Sequence, residues 1–160
     1  GLALSIALTG RVEKGRAILR STGRPGDVIC VSGPLGGSFP SGRHLSFEPR
    51  LELARRLVQD GFRPSAMMDL SDGLGTDLPR LAKASSCGFD LDLETIPCNP
   101  GCSIGQAIGA GEDYELLATM PPAVFEAALA SGIRLSAIGR LTSGCGTKLP
   151  QGWQHFRAEH

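Results

Sequence analysis

The stretch SAMMDLSDGLGTDLPRLAKASSCGFDLDLETI, residues 65–96, predicts a strand, a loop, a helix and a second strand in succession. Residues 65–70 are mostly apolar and are typical of a buried strand. The helix that follows is expected to end near Ser85. Residues 88–96 then alternate apolar and acidic side chains, which indicates a strand with one face exposed. Strands and helices are therefore expected to be interleaved along this part of the chain.

The same patterns predict further strands and helices outside this stretch. A Pro-Gly-Asp turn precedes one apolar run, and proline opens two segments whose apolar residues recur at helical spacing. Predicted strands lie at residues 2–12, 28–33, 114–120 and 133–141, and predicted helices lie at residues 49–60 and 121–132. We therefore expect a single α+β domain over residues 1–160, with a mixed β-sheet covered by helices.

Length and charge limit the classes of function. A chain of 160 residues can bury a core without a disulfide or a metal to hold it together. Its 16 basic and 16 acidic residues cancel, which argues against non-specific nucleic-acid binding and against adhesion to an anionic membrane. No apolar run reaches the roughly 18 residues that a membrane span requires. The chain starts without Met inside a predicted strand, so we expect a truncated or processed product.

The five cysteines form no recognised disulfide pattern. The segment CNPGC, residues 98–102, contains one close pair, but a structural zinc ion would need two further ligands nearby. We therefore expect reduced thiols in a cytoplasmic protein rather than a zinc site.

Polar residues end the first strand of the quoted stretch. Asp69, Ser71 and Asp72 follow the apolar run directly. Close carboxylates repel each other unless a positive charge lies between them. Ser71, Asp72 or Thr76 could cap the next helix, with Asp77 as a solvated charge. Capping does not explain Asp69, which lies at the carboxyl end of a strand, where α/β sheets present ligands. These residues alone leave a helix cap and a cation or phosphate site both open.

A second acidic segment lies in GAGEDYELL, residues 109–117, just ahead of a buried strand. With MDLSDGL at residues 68–74, it resembles the paired signature of the thiamine-monophosphate kinase family, in the aminoimidazole ribonucleotide synthetase superfamily. Three further segments are similar to motifs of that family and occur in the same order. They are GRAILRSTGRPGDVICVSG at residues 15–33, GRHLSFEPRLELA at residues 42–54 and GWQHF at residues 152–156.

The resemblance covers only the C-terminal half of that family. The N-terminal half, with most of the magnesium-binding aspartates and the nucleotide cradle, is expected to be absent from this chain. The resemblance implies one domain of an enzyme that transfers the terminal phosphoryl group of ATP to thiamine monophosphate, with Mg²⁺ as cofactor. It also implies that the full-length enzyme is a homodimer.

Position by position, the resemblance implies roles for six residues and assigns none of them as catalytic. They are Asp69 and Asp72 as magnesium ligands, Ser71 and Arg20 as contacts to ATP, and Glu112 and Trp153 as contacts to thiamine monophosphate. The chemistry suits these roles, because carboxylates hold Mg²⁺, the arginine fork is always charged, and tryptophan stacks on a flat cationic ring.

Two segments are shorter than the family pattern, between residues 37 and 43 and between residues 97 and 109. The alternatives are therefore another ATP-using enzyme of the superfamily, such as a ribonucleotide or selenophosphate synthetase, or a non-catalytic assembly module. Asp113 and Glu115 are expected to be structural, since Glu115 alternates with the buried strand.

Overall fold

A computed structural model of the chain describes residues 3–144. Its centre is one five-stranded β-sheet with the strand order β2-β4-β1-β5-β3. The strands are β1 Val28–Val31, β2 Ala66–Asp69, β3 Gly88–Leu91, β4 Leu116–Met120 and β5 Ser136–Thr142. The expected α+β class is confirmed. All four strand pairings are antiparallel, however, so the expectation of a mixed sheet is wrong for these strands.

The strand directions have a simple origin. No two consecutive strands are neighbours in the sheet, because β4 lies between β2 and β1, and β5 lies between β1 and β3. The first three strands run in one direction, and the last two insert between them in the other. Interleaved helices suggest parallel neighbours, but this insertion makes every neighbouring pair antiparallel.

Five helices complete the fold within residues 3–144. They are α1 Ser38–Ser41, α2 Leu51–Gln59, α3 Leu74–Ala84, α4 Ile104–Gly109 and α5 Pro122–Ala130, and short 3-10 turns lie at Arg43–Leu45 and Leu93–Thr95. The helices predicted at residues 49–60 and 121–132 are confirmed. The short α4 was not predicted, although Ser103 and Gln106 form a reciprocal capping box at its start. No helix in the described part of the chain is long and apolar enough to cross a membrane.

Both faces of the sheet are buried, so the domain has three layers. In β1, Ile29 and Val31 pack with one apolar cluster, whereas Val28 and Cys30 pack with another. The first cluster includes side chains of α3 and α4, and the second includes side chains of α2 and α5. Burial on both faces explains why β1 appears in the sequence as a continuous apolar run.

The strand predicted at residues 2–12 is wrong for its described part. Residues 3–12 lie outside the sheet. Leu4, Ile6 and Leu8 are 83%, 85% and 93% exposed. Their alternation is that of a strand, but a strand needs a neighbouring strand to pair with, and the described residues provide none for this segment.

Candidate functional site

Two polar segments that are far apart in the sequence meet beyond the end of β2. The pairing of β2 with β4 places Asp69 opposite Leu116. Beyond it, the Tyr114 N–H donates to the Leu70 carbonyl at 2.8 Å, and the Glu112 N–H donates to the Ser71 carbonyl at 2.7 Å. The structure therefore brings the loop at residues 69–72 against the segment at residues 112–115. Four of the six predicted site residues lie in these two segments.

Asp77 organises the loop at residues 69–72. Its side chain is fully buried, and its Oδ2 accepts hydrogen bonds from the backbone N–H of Ser71 at 3.0 Å and of Asp72 at 2.9 Å. Burial raises the pKa of Asp77, and the hydrogen bond from the Asp72 N–H works in the opposite direction. The prediction that Asp77 is a solvated charge is therefore wrong.

The expected helix caps are also wrong. Helix α3 begins after Gly73, which has a φ of 90° and makes no side-chain capping bond. A Cβ at Gly73 would collide with the Ala110 carbonyl, so this position needs glycine. The Thr76 N–H donates to the Gly73 carbonyl, and Pro79 lies inside the helix rather than in its first turn. Ser71 and Asp72 therefore do not cap α3, and both are partly exposed.

Arg80 supplies the positive charge that the clustered carboxylates require. Its Nη1 donates to Asp77 Oδ1 at 3.0 Å and also to Asp72 Oδ2. The Arg80 side chain is 51% exposed, whereas that of Asp72 is 21% exposed. Sequence reasoning missed Arg80 because it lies eight residues beyond Asp72, two turns into α3.

The chain offers two carboxylates at this place for a metal ion. Asp69 is exposed and Asp72 is partly exposed. Within residues 3–144, no group of three or more His, Cys, Asp or Glu side chains is arranged to hold a metal ion. Mg²⁺ is commonly held by one or two carboxylates together with substrate phosphates. Asp69 and Asp72 fit that kind of shared site, and they do not form a cage of their own.

Arg20 lies beside the C-terminal half of α3. A cavity of about 500 Å³ is lined by Arg20, Arg80, Lys83 and Ala84. The Ser85 hydroxyl donates to the Arg20 carbonyl at 3.0 Å and ties the preceding segment to the end of α3. Three cationic side chains therefore share one cavity, and Arg80 connects it to the carboxylate of Asp72. Such a cavity suits a polyanion.

Glu112 and Tyr114 form the other side of the site. The Tyr114 hydroxyl donates to Glu112 Oε2 at 2.6 Å. This hydrogen bond, burial and the charges of Glu112, Asp69 and Asp72 raise the pKa of Tyr114 to about 12. Both residues have left-handed backbone, with φ values of 66° and 52°. Such strain in non-glycine residues concentrates at functional sites.

Asp113 and Glu115, unlike Glu112 and Tyr114, are buried and make contacts inside the domain. These contacts agree with the structural role expected for both residues. Both Asp113 carboxylate oxygens accept from the Gly36 N–H, at 3.0 and 2.9 Å. Fully buried Glu115 accepts two hydrogen bonds from Arg50, at 2.8 and 2.6 Å, one from Arg43 at 3.0 Å and one from the Ser32 hydroxyl at 2.6 Å. Burial works to raise the pKa of Glu115, but these partners hold it below its ordinary value.

The buried Asp113 carboxyl should make stability depend on pH. Burial raises its pKa from 3.8 to about 6, against the opposing effects of the Gly36 N–H and Arg43. The folded state therefore binds a proton more tightly than the unfolded state, and this contribution to stability falls as pH rises from about 4 to about 6. We expect wild type to lose about 2–3 kcal/mol relative to Asp113→Asn over this range.

Urea unfolding of both proteins at pH 4.5 and pH 7 measures this difference. Glu115 is present in both proteins, so its own titration cancels in the comparison. An equal difference at the two pH values would show that Asp113 keeps its ordinary pKa.

Trp153, the sixth predicted site residue, lies outside the described residues 3–144. Its predicted contact with the substrate therefore stays a prediction.

Residues 24–150 match the family described as AIR synthase related protein, C-terminal domain, and the chain belongs to this family.

Among curated proteins, the chain is similar to thiamine-monophosphate kinases. It is 35% identical over 159 residues to that of Rhodopirellula baltica, a match that covers 91% of this chain and 48% of that protein. It is 32% identical over 174 residues to that of Escherichia coli K12, covering 89% and 53%. The chain therefore spans about half the length of the curated relatives it matches, and the resemblance deduced from its motifs is confirmed.

Solved structures of thiamine-monophosphate kinases are also similar to this chain. AaThiL complexed with AMPPCP and TMP has a TM-score of 0.68 and 30% identity, covering 87% of this chain and 54% of that one. The thiamine monophosphate kinase from Aquifex aeolicus has a TM-score of 0.63 and 29% identity, covering 81% and 52%. Hydrogenase maturation protein HypE in complex with ATP has a TM-score of 0.64 at 23% identity, a likeness that shows the fold alone.

Proposed function

We propose that this chain is the C-terminal half of an ATP-dependent kinase that converts thiamine monophosphate to thiamine diphosphate. One observation carries the proposal: the loop at residues 69–72 lies against the segment at residues 112–115 through backbone hydrogen bonds. The residues proposed for metal-bound phosphate, Asp69 and Asp72, and the residue proposed for the acceptor, Glu112, thereby lie in adjoining segments. The similarity to thiamine-monophosphate kinases over most of this chain supports the choice of acceptor.

The donor and the acceptor of this reaction are both anions, so their repulsion is the main obstacle. Bound Mg²⁺ would neutralise phosphate oxygens and align the reacting groups. Asp69 and Asp72 would hold the ions. Asp72 is already fixed in place by Asp77 through its own N–H. In the absence of a cation, Arg80 compensates the charge of Asp72.

The remaining polar groups would hold the two substrates. Ser71 presents its hydroxyl between the two aspartates in the sequence, where it would contact a phosphate of ATP. Arg20 lies in the cationic cavity and would bind the polyphosphate, since its charge is permanent. Glu112 and Trp153 would contact thiamine monophosphate, whose thiazolium ring carries a positive charge. Each group binds and orients, and none is required to act as an acid or base.

We propose that the partner of this domain is an N-terminal domain of the same full-length protein. The exposed apolar side chains Leu4, Ile6 and Leu8 form a strand-like pattern that another domain would cover. That domain would supply the nucleotide cradle and the remaining magnesium ligands, and the full-length enzyme would be a homodimer. We place it in the cytoplasm, where the free thiols Cys30, Cys87, Cys98 and Cys102 stay reduced.

The proposal is tested by comparing two proteins in one assay. A protein that carries these 160 residues behind an N-terminal ATP-binding half should form thiamine diphosphate from ATP and thiamine monophosphate, and should require Mg²⁺. The 160-residue chain alone should form none, because two carboxylates and one cationic cavity do not complete the site. Thiamine diphosphate production by the isolated chain, purified free of any full-length kinase, would overturn the proposal that the N-terminal half completes the site.

A further inference from the structure

The segment at residues 43–50 converges on the segment at residues 112–115, although nothing in the proposed chemistry uses it. Arg43 Nη2 donates to the Asp113 carbonyl at 2.6 Å and to Glu115 Oε1 at 3.0 Å. Arg50 makes two further hydrogen bonds to the Glu115 carboxylate. Phe47, between them, stacks on Tyr114 with ring centroids 4.2 Å apart and an interplanar angle of 22°. We call residues 43–50 the clamp segment.

Tyr114 is held at three points, by the clamp segment, by the loop at residues 69–72 and by Glu112. Its N–H donates to the Leu70 carbonyl, its ring lies on Phe47, and its hydroxyl donates to Glu112 Oε2 at 2.6 Å. The last contact is short, as is usual for a hydroxyl that donates to a carboxylate. A side chain fixed at backbone, ring and hydroxyl has little freedom, so the carboxylate it contacts is held with it.

Side chains along residues 112–115 alternate between buried and partly exposed positions. Asp113 and Glu115 are buried and anchor the segment, whereas Glu112 and Tyr114 are partly exposed and lie on the side of the aspartates. The left-handed backbone at Glu112 and Tyr114 is the cost of presenting both side chains on that side. Anchoring by two buried carboxylates keeps this strained conformation in place.

We propose that Tyr114 is a positioning residue that fixes the Glu112 carboxylate for the cationic acceptor, with Phe47 as its support; this rests on the proposed function. A freely rotating Glu112 would lose rotamer freedom when the acceptor binds, whereas a held carboxylate has lost it already. Tyr114 would therefore act on acceptor affinity and not on ATP.

Steady-state kinetics of the full-length protein with Tyr114→Phe tests this inference. The variant removes one hydroxyl and keeps the ring on Phe47. We expect KM for thiamine monophosphate to rise about tenfold, in line with loss of a hydrogen bond to a charged group. We expect kcat and KM for ATP to stay within twofold of wild type. Phe47→Leu should raise the same KM by a smaller factor.

Phe39→Leu is the matched control, since Phe39 lies just before the clamp segment and stacks on His44, with centroids 4.8 Å apart. It should leave all three kinetic constants within twofold. An unchanged KM for thiamine monophosphate in an active Tyr114→Phe enzyme would overturn the inference alone. Equal rises in both KM values, together with a lower melting temperature, would also overturn it in favour of a purely structural role. An inactive wild type would overturn the proposed function as well.

Discussion

Asp72→Asn in the full-length protein is expected to lower turnover by on the order of 10² or more, the range seen when an electrostatic catalytic group is lost. The substitution keeps the size of the side chain and removes its charge. Arg80 retains Asp77 as a partner at 3.0 Å, and Asp77 still accepts from the backbone N–H at position 72. The loop should therefore stay in place, and the loss should report on cation charge that is no longer compensated.

Asp60→Asn is the matched control for this experiment. Asp60 is an exposed aspartate at the end of α2, and its carboxylate accepts from Arg56 at 3.4 Å, so the chemical change and the type of partner are the same. Its turnover should equal that of wild type. If Asp72→Asn also turns over normally at saturating Mg²⁺, Asp72 is a structural partner of Arg80 and not a metal ligand.

Glu115→Gln should lower the free energy of unfolding by about 3 kcal/mol. Removing one partner of a buried ion pair costs about 3–5 kcal/mol. We expect the lower end, because Arg43 and Arg50 are 27% and 38% exposed and can regain water. The surroundings of the Glu115 side chain are also tightly packed, since a Cβ at Gly33 would lie 2.8 Å from the Glu115 carboxyl group. Each carboxylate oxygen of Glu115 accepts from at least one arginine N–H, so an amide NH2 in either position would replace an acceptor by a donor.

Urea unfolding at pH 7 measures this loss, with Glu126→Gln as control. Glu126 is exposed on α5 and should change stability by less than about 0.5 kcal/mol. A Glu115→Gln protein as stable as the control would mean that the two arginines gain nothing from Glu115. The pKa of Glu115 is held below its ordinary value, so its contribution is present at neutral pH and is lost as pH falls through that lowered pKa.

The sequence predicted the helices at residues 49–60 and 121–132. The resemblance also named four residues that the fold brings into adjoining segments, and their roles stay predictions. The sequence could not predict the direction of the strands, since that depends on β4 and β5 inserting between strands that precede them. It missed the role of Asp77, because the start of α3 at Gly73 depends on close approach to the Ala110 carbonyl. The strand predicted at residues 2–12 has the right alternation, but pairing depends on a partner that its own residues do not specify.

We propose that thiamine monophosphate and the phosphoryl group of ATP bind at the surface formed by residues 69–72 and residues 112–115 together. The most direct test is an acceptor comparison with the full-length protein, with ATP and Mg²⁺ in every reaction. Thiamine monophosphate, selenide and an amide-bearing ribonucleotide are supplied separately, and phosphorylated products are separated and identified. We expect thiamine diphosphate in the first reaction and no acceptor-dependent ATP consumption in the others. ATP consumption with selenide or the ribonucleotide, and none with thiamine monophosphate, would contradict it.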